Sequence, residues 1–204
     1  MAVITISRQI GAGGWTLGKR LVERLGYRYV DEVMIKEVAD KIGVTVEDIS
    51  AFEKDGATKL MKFLGKMVSR DFINRLISEK YGYVEEERYV GVVTAIIKEL
   101  YEQGDVVIVG RAGQYILKGH EGVWHILLVD DFKHRVRFIT DKYKMNESEA
   151  ERLIKTRDRI RTNFLSFFAD KECHDDPRSY DLAINMGNVT FEKAEDVILS
   201  LIAQ

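Results

Sequence analysis

The chain is poor in the residues that mark secreted, membrane and metal-centred proteins. Cys173 is its only cysteine, so no intrachain disulfide can form and stability has to come from a buried core. Pro177 is the only proline, and it breaks the chain just before Tyr180. No apolar run approaches the roughly 18 residues of a membrane span, and the N-terminus lacks an apolar signal core and cleavage site. A cytoplasmic location is therefore expected, with no membrane partner. The formal charge is only −2, which gives no bulk attraction to nucleic acid. His120, His125, His134 and His174 fall into no metal-ligand spacing, so no protein-borne metal site is expected. What remains is the composition of a soluble globular protein, 46% hydrophobic and 31% charged, of a length suited to one α/β domain.

The most informative stretch is Met1 to Asp31. Val3-Ile4-Thr5-Ile6 reads as an apolar strand, followed by Ser7-Arg8-Gln9-Ile10-Gly11-Ala12-Gly13-Gly14-Trp15-Thr16. Leu17, Leu21 and Leu25 then recur every four residues, the helical period, and Gly26 supplies a stop. Strand, glycine-rich turn and helix together aim backbone N–H groups and a helix N-terminus at a phosphate. A phosphate loop of the G-x-x-x-x-G-K-[ST] type adds a lysine for the phosphates and a hydroxyl for Mg²⁺.

Two registers can be laid on this pattern. In the literal one, Gly13 and Gly18 are followed by Lys19, but Arg20 stands where Ser or Thr belongs. Lys19 also lies about 200° round the helix from Leu17, facing solvent, so this register is rejected. In the other, Gly11, Ala12 and Gly13 form the loop. Gly14 takes the lysine position, Trp15 the metal-ligand position and Thr16 the next hydroxyl. The backbone cradle survives while two functional side chains are lost, and Arg8 is the nearest replacement cation. Against this stands the plainer reading, in which the glycines only make a tight turn.

The rest of the chain alternates strands and helices, the pattern of a parallel sheet covered on both faces. Residues 27–30 read as a second strand ending at Asp31, which is suited either to a metal or substrate contact or to capping the next helix. Helical patterns follow at 32–42, 45–54, 57–80 and 84–103. Thr45 and Asp48 make a capping-box variant, while Met61, Met67 and Phe72 read as packing. Residues 105–109 form a buried strand ending in Gly110-Arg111, and an Arg at that edge of a parallel sheet sits where α/β folds bind ligands. A strand at 123–129 leads to a helix opened by Asp130-Asp131. Asn146 to Glu149 starts another helix rich in arginine, with Arg157 and Arg161 on one face and Asp158 beside them. That face reads either as an anion site or as a solvated cationic surface. Residues 182–186 are the last strand, and Thr190 caps the closing helix.

Ile4 to Gly14, Gly18-Lys19-Arg20-Leu21 and Tyr29-Val30-Asp31 together resemble the cytidylate-kinase-like family, a branch of the P-loop nucleoside-monophosphate kinases. Residues 107–113, 157–161 and 176–185 agree with it in order. The resemblance implies a P-loop NTPase-like three-layer α/β fold, with a five-stranded parallel sheet and helices on both faces. It also implies a single domain over 1–204, with a helical acceptor-side insertion at about 44–103 and a mobile lid at about 145–175. ATP and Mg²⁺ would be the cofactors, and a small nucleotide, CMP or dCMP, the acceptor. Gly11 to Thr16 would hold the donor's phosphates and Arg111 the acceptor's. Asp158 would join the nucleotide-binding set, Arg157 and Arg161 would close on the transferring group, and Asp31 would orient metal or acceptor. Two rival functions stay open: a nucleotide-binding sensor with little turnover, and a kinase for another small substrate. A homodimer through the insertion helices also stays open.

Overall fold

The computed structural model describes residues 2–35, 85–169 and 173–203. The predicted helices at 45–54 and 57–80, with the Thr45–Asp48 box, Met61, Met67 and Phe72, lie outside the described residues. The chain divides into two compact units, residues 1–31 with 105–204, and residues 32–104.

The first unit is built on five parallel strands: β1 (Val3–Arg8), β2 (Arg28–Asp31), β3 (Val106–Val109), β4 (Val123–Val129) and β5 (Leu182–Asn185). Their order is β2-β3-β1-β4-β5, with β1 in the centre. In register, Ile6 and Asp31 both stand opposite Val109, and Arg8 stands opposite Leu128. β2 and β3 therefore end level with Ile6, and Ser7 and Arg8 of the longer β1 project past them beside β4. β3 is buried at every residue, as a strand covered on both faces must be. It begins one residue later than the apolar run suggests, because Asp105 adopts a left-handed φ of 48°.

The alternation of side chains along the strands sorts the core into layers. Ile4, Ile6, Val107, Val109, Ile126, Leu128 and Ile184 form one face, which packs against Leu17 and Leu21 of α1 (Gly14–Leu25). Ala194 and Ile198 of the closing helix join the same cluster. The opposite face carries polar residues as well, notably Thr5, whose hydroxyl lies 2.7 Å from Nδ1 of buried His125. Burial pushes the His125 pKa down, with Asp181 opposing the shift. The helix Glu85–Gln103 of the second unit is α2, and the short helix Gly113–Ile116 is α3.

 In α2, Val92, Val93, Ile96, Ile97 and Leu100 are buried, as their helical spacing predicts.

Two further helices, α4 (Phe132–Tyr143) and α5 (Glu147–Ser166), form a hairpin with a small core of its own. Val136, Ile139, Ala150 and Ile154 meet there, and Ile10 packs against them from the loop after β1. Asn146 starts α5 through a complete capping box with Glu149. Thr190 caps α6 (Phe191–Ile202), its hydroxyl accepting from the Lys193 N–H. Buried Glu195 of α6 accepts from Arg20 Nε at 2.8 Å and Arg24 Nη1 at 3.1 Å, fastening α6 to α1. Among the described residues, no helix is long and apolar enough to cross a membrane.

Leu21 is fully buried in this main core. Leu21→Ala should lower unfolding free energy by about 2–5 kcal/mol in a urea titration. A loss below about 1 kcal/mol would show that α1 packs loosely on the sheet.

Candidate active site

The site begins where β1 runs out. Arg8 ends the strand, residues 9–13 turn, and α1 starts at Gly14. Gly11 and Gly13 have φ of 90° and 80°, which other residues rarely adopt. Space demands glycine as well. A Cβ on Gly11 would lie 2.9 Å from Arg135 Cβ, and one on Gly13 would lie 2.6 Å from the Phe191 ring. The first turn of α1 leaves N–H groups without intrahelical partners, and it contains no acidic residue. Lys19 is exposed, as the rejection of the literal register requires.

Gly14 explains the fate of the missing lysine. A Cβ there would stand 2.8 Å from Arg8 Cγ and 3.1 Å from Arg8 Cβ. The stem of Arg8 therefore lies across residue 14, and its guanidinium reaches Gly110, whose added Cβ would be 2.6 Å from Nη1. Gly110 opens a run of three left-handed residues, followed by Arg111 at φ 56° and Ala112 at 61°. Two non-glycine residues in that region cost of order 1–3 kcal/mol each, strain of a kind that gathers at functional sites. The turn carries the Arg111 guanidinium to 4.8 Å from the Phe164 ring of α5.

Arg161, three residues before Phe164, donates to Ser7 Oγ at 2.9 Å and to Asp175 Oδ1 at 2.6 Å. Gln9 ties this group down, donating to Asp175 Oδ2 at 3.0 Å and accepting from the Asp130 N–H at 3.1 Å. Arg8, Arg111 and Arg161 thus come from three elements and gather at the carboxyl ends of β1 and β3. Arg157 stays exposed on α5, one turn before Arg161. Asp158 turns to the loop backbone: Oδ1 accepts from Ile10 N–H at 3.2 Å and Oδ2 from Arg135 Nη1 at 2.7 Å. The same Arg135 nitrogen donates to the Ile10 carbonyl at 3.1 Å.

Trp15 occupies the metal-ligand position, and its indole N–H donates to Asp31 Oδ2 at 2.7 Å. An indole has no acceptor lone pair, so it cannot take a hydroxyl's place on Mg²⁺. Among the described residues no cluster of three or more His, Cys, Asp or Glu is placed to hold a metal ion. Asp31 is buried, and together with burial its charge holds the Tyr29 phenol well above its usual range. The triphosphate of a nucleotide fits better than the metal does, given the glycine loop, the free helix end and the cations around them. Beside the loop is a cavity of about 260 Å³, lined by Gly11, Gly13, Asp130, Phe138, Met186 and Phe191 among others. Its walls combine the apolar Phe138, Met186 and Phe191 with the carboxylates of Asp130 and Glu192.

Residues 3–188 match the profile of the cytidylate kinase-like family. The chain belongs to that family. No curated protein matches it. An uncharacterized protein from Eubacterium ventriosum has a similar solved structure, with a TM-score of 0.68, 20% identity, and coverage of 100% of this chain and 99% of the other. Shikimate kinase from Acinetobacter baumannii, in complex with shikimate, gives 0.52 at 18% identity, covering 100% and 93%. A gluconokinase from Sinorhizobium meliloti gives 0.52 at 15%, covering 99% and 91%. These likenesses establish the P-loop kinase fold for this family member.

Sequence reasoning overlooked Arg135, Gln9, Ser7 and Asp175 as parts of the site. Arg135, Phe138 and Lys142 follow one another at spacings of three and four, a signal that one face of α4 has a task. Gly14→Ala should cost about 1–3 kcal/mol through overpacking against Arg8, and the cost should fall sharply in an Arg8→Ala background. A double-mutant cycle in urea checks this. Equal costs in both backgrounds would mean that Arg8 does not fill the space.

Proposed function

We propose that this protein transfers the γ-phosphoryl group of ATP to a small acceptor, with CMP and dCMP the first candidates. The observation that carries the reading is the gathering of Arg8, Arg111 and Arg161 beside a glycine loop in a member of this family. Phosphoryl transfer needs mainly positioning and charge neutralisation, because its transition state spreads negative charge over the equatorial oxygens. Loop and α1 N–H groups, Gly11 to Thr16, hold the donor's phosphates. Arg111 holds the acceptor's phosphate. Arg8 and Arg161 face the transferring group, with Arg157 closing from the exposed side of α5. Asp31 orients the acceptor. Asp158 acts through Ile10, keeping the loop in shape. An acceptor oxygen then forms its bond to the γ-phosphorus as the bond to the bridging oxygen breaks, and ADP leaves.

A second reading has its own support. Trp15 on Asp31 replaces the metal-binding hydroxyl, which favours a nucleotide sensor with little turnover.

ATP consumption with Mg²⁺ across nucleoside and deoxynucleoside monophosphates, with shikimate added to the panel, separates the readings. Turnover with CMP or dCMP is expected, and Arg161→Ala or Arg8→Ala should lower kcat by about a hundredfold or more. ATP binding without turnover on any acceptor would favour the sensor. Turnover confined to shikimate would move the acceptor to a different chemical class.

A further inference from the structure

α4 meets the glycine loop and the start of α1 at separate points. Arg135 meets the loop at Ile10 and Gly11, and Phe138 lines the cavity beside it. One turn further on, Lys142 Nζ donates to Thr16 Oγ1 at 2.7 Å. Thr16 is the third residue of α1, so this ammonium stands beside N–H groups that the helix itself leaves open. The Lys142 ammonium is 5.2 Å from the Phe138 ring and 5.7 Å from the Trp15 ring, and Lys19 Nζ sits 3.7 Å over the Trp15 ring. Neither lysine forms an ion pair among the described residues. Resting on the reading of this loop as a nucleotide-donor site, we propose that Lys142 is its phosphate-binding lysine, supplied from α4 instead of from position 14.

Electrostatics agree with the geometry. Two ammonium groups share the positive end of a helix whose first turn has no carboxylate. Burial, followed by the charge of Lys19, holds the Lys142 pKa below its usual value. Like charges held together in this way are stabilised by an anion between them, and a polyphosphate chain is one that can run from the loop to Thr16. Arg8 and Lys142 then have separate tasks. Arg8 lies over Gly14 and Gly110 on the acceptor side, and Lys142 lies over Thr16 on the donor side.

The test compares the affinities of ATP, ADP and adenosine for wild type, Lys142→Met, Lys142→Arg and Thr16→Val by calorimetry, with thermal midpoints as the fold control. Lys142→Met should weaken ATP and ADP about 10- to 100-fold, the scale of one charge-assisted hydrogen bond, and leave adenosine unchanged. Lys142→Arg should keep most of the affinity, because the charge remains. Thr16→Val, which removes the anchor but not the ammonium, should weaken ATP less than Lys142→Met does. Wild-type ATP affinity should also fall with added salt, a readout independent of whether any variant folds. Unchanged ATP binding in folded Lys142→Met would overturn the proposal and leave the kinase reading standing. Equal losses for ATP and adenosine would overturn it too, since Lys142 would then shape the base pocket. A wild type that binds no ATP would remove both.

Discussion

The site depends on one steric fact: residue 14 has no side chain. Arg8 can lie across the start of α1 only because its Cγ meets no Cβ there. From that position the guanidinium reaches Gly110, a second place where a side chain would block it. Two glycines on different elements therefore frame one arginine. The loop lacks its lysine, but the space is filled and the charge is present. Replacing Gly14 alone would push Arg8 away from β3 before adding anything useful.

A second constraint acts on the loop from outside. Ile10 has its N–H held by Asp158 and its carbonyl by Arg135, so α5 and α4 hold the two successive peptide units that flank one residue. Arg135 and Asp158 also bond to each other, closing a three-membered circuit. Ile10's own side chain packs into the hairpin's core. The glycine turn and the helical hairpin are thus coupled through backbone polar groups as well as through packing.

Most of the first unit's fold was legible in the sequence because its signals are local. Leu17, Leu21 and Leu25 announce α1, Gly26 ends it, and the Asn146–Glu149 box starts α5. The parallel sheet follows from alternating elements and continuously apolar strands such as 106–109. The site was less legible, since its key relations are long-range. Nothing near Gly14 says that Arg8 covers it, and nothing near Trp15 says that its indole turns to Asp31. The resemblance puts Asp158 in the nucleotide-binding set, and nothing in the sequence shows that its carboxylate bonds to Ile10 and Arg135. Arg157 and Arg161 share a helical face by spacing, but only Arg161 reaches Ser7. Sequence spacing fixes the direction of a side chain. Which strand end it meets is decided by the tertiary fold.

The central place of β1 has a consequence for how the chain is made. β1 pairs with β3 and β4, whose registers match Val3 to Val106 and to Val123. At a synthesis rate of about 5–20 residues per second, its first partner strand follows it out of the ribosome by roughly 5–20 s. Throughout that interval Val3, Ile4 and Ile6 have no sheet to join, although α1 and its glycine stop are already synthesised. β1 is flanked on both sides only once β4 has been made as well. Such non-local pairing makes folding slow, and until then the core contacts open to β1 are those of Ile4 and Ile6 with Leu17 and Leu21.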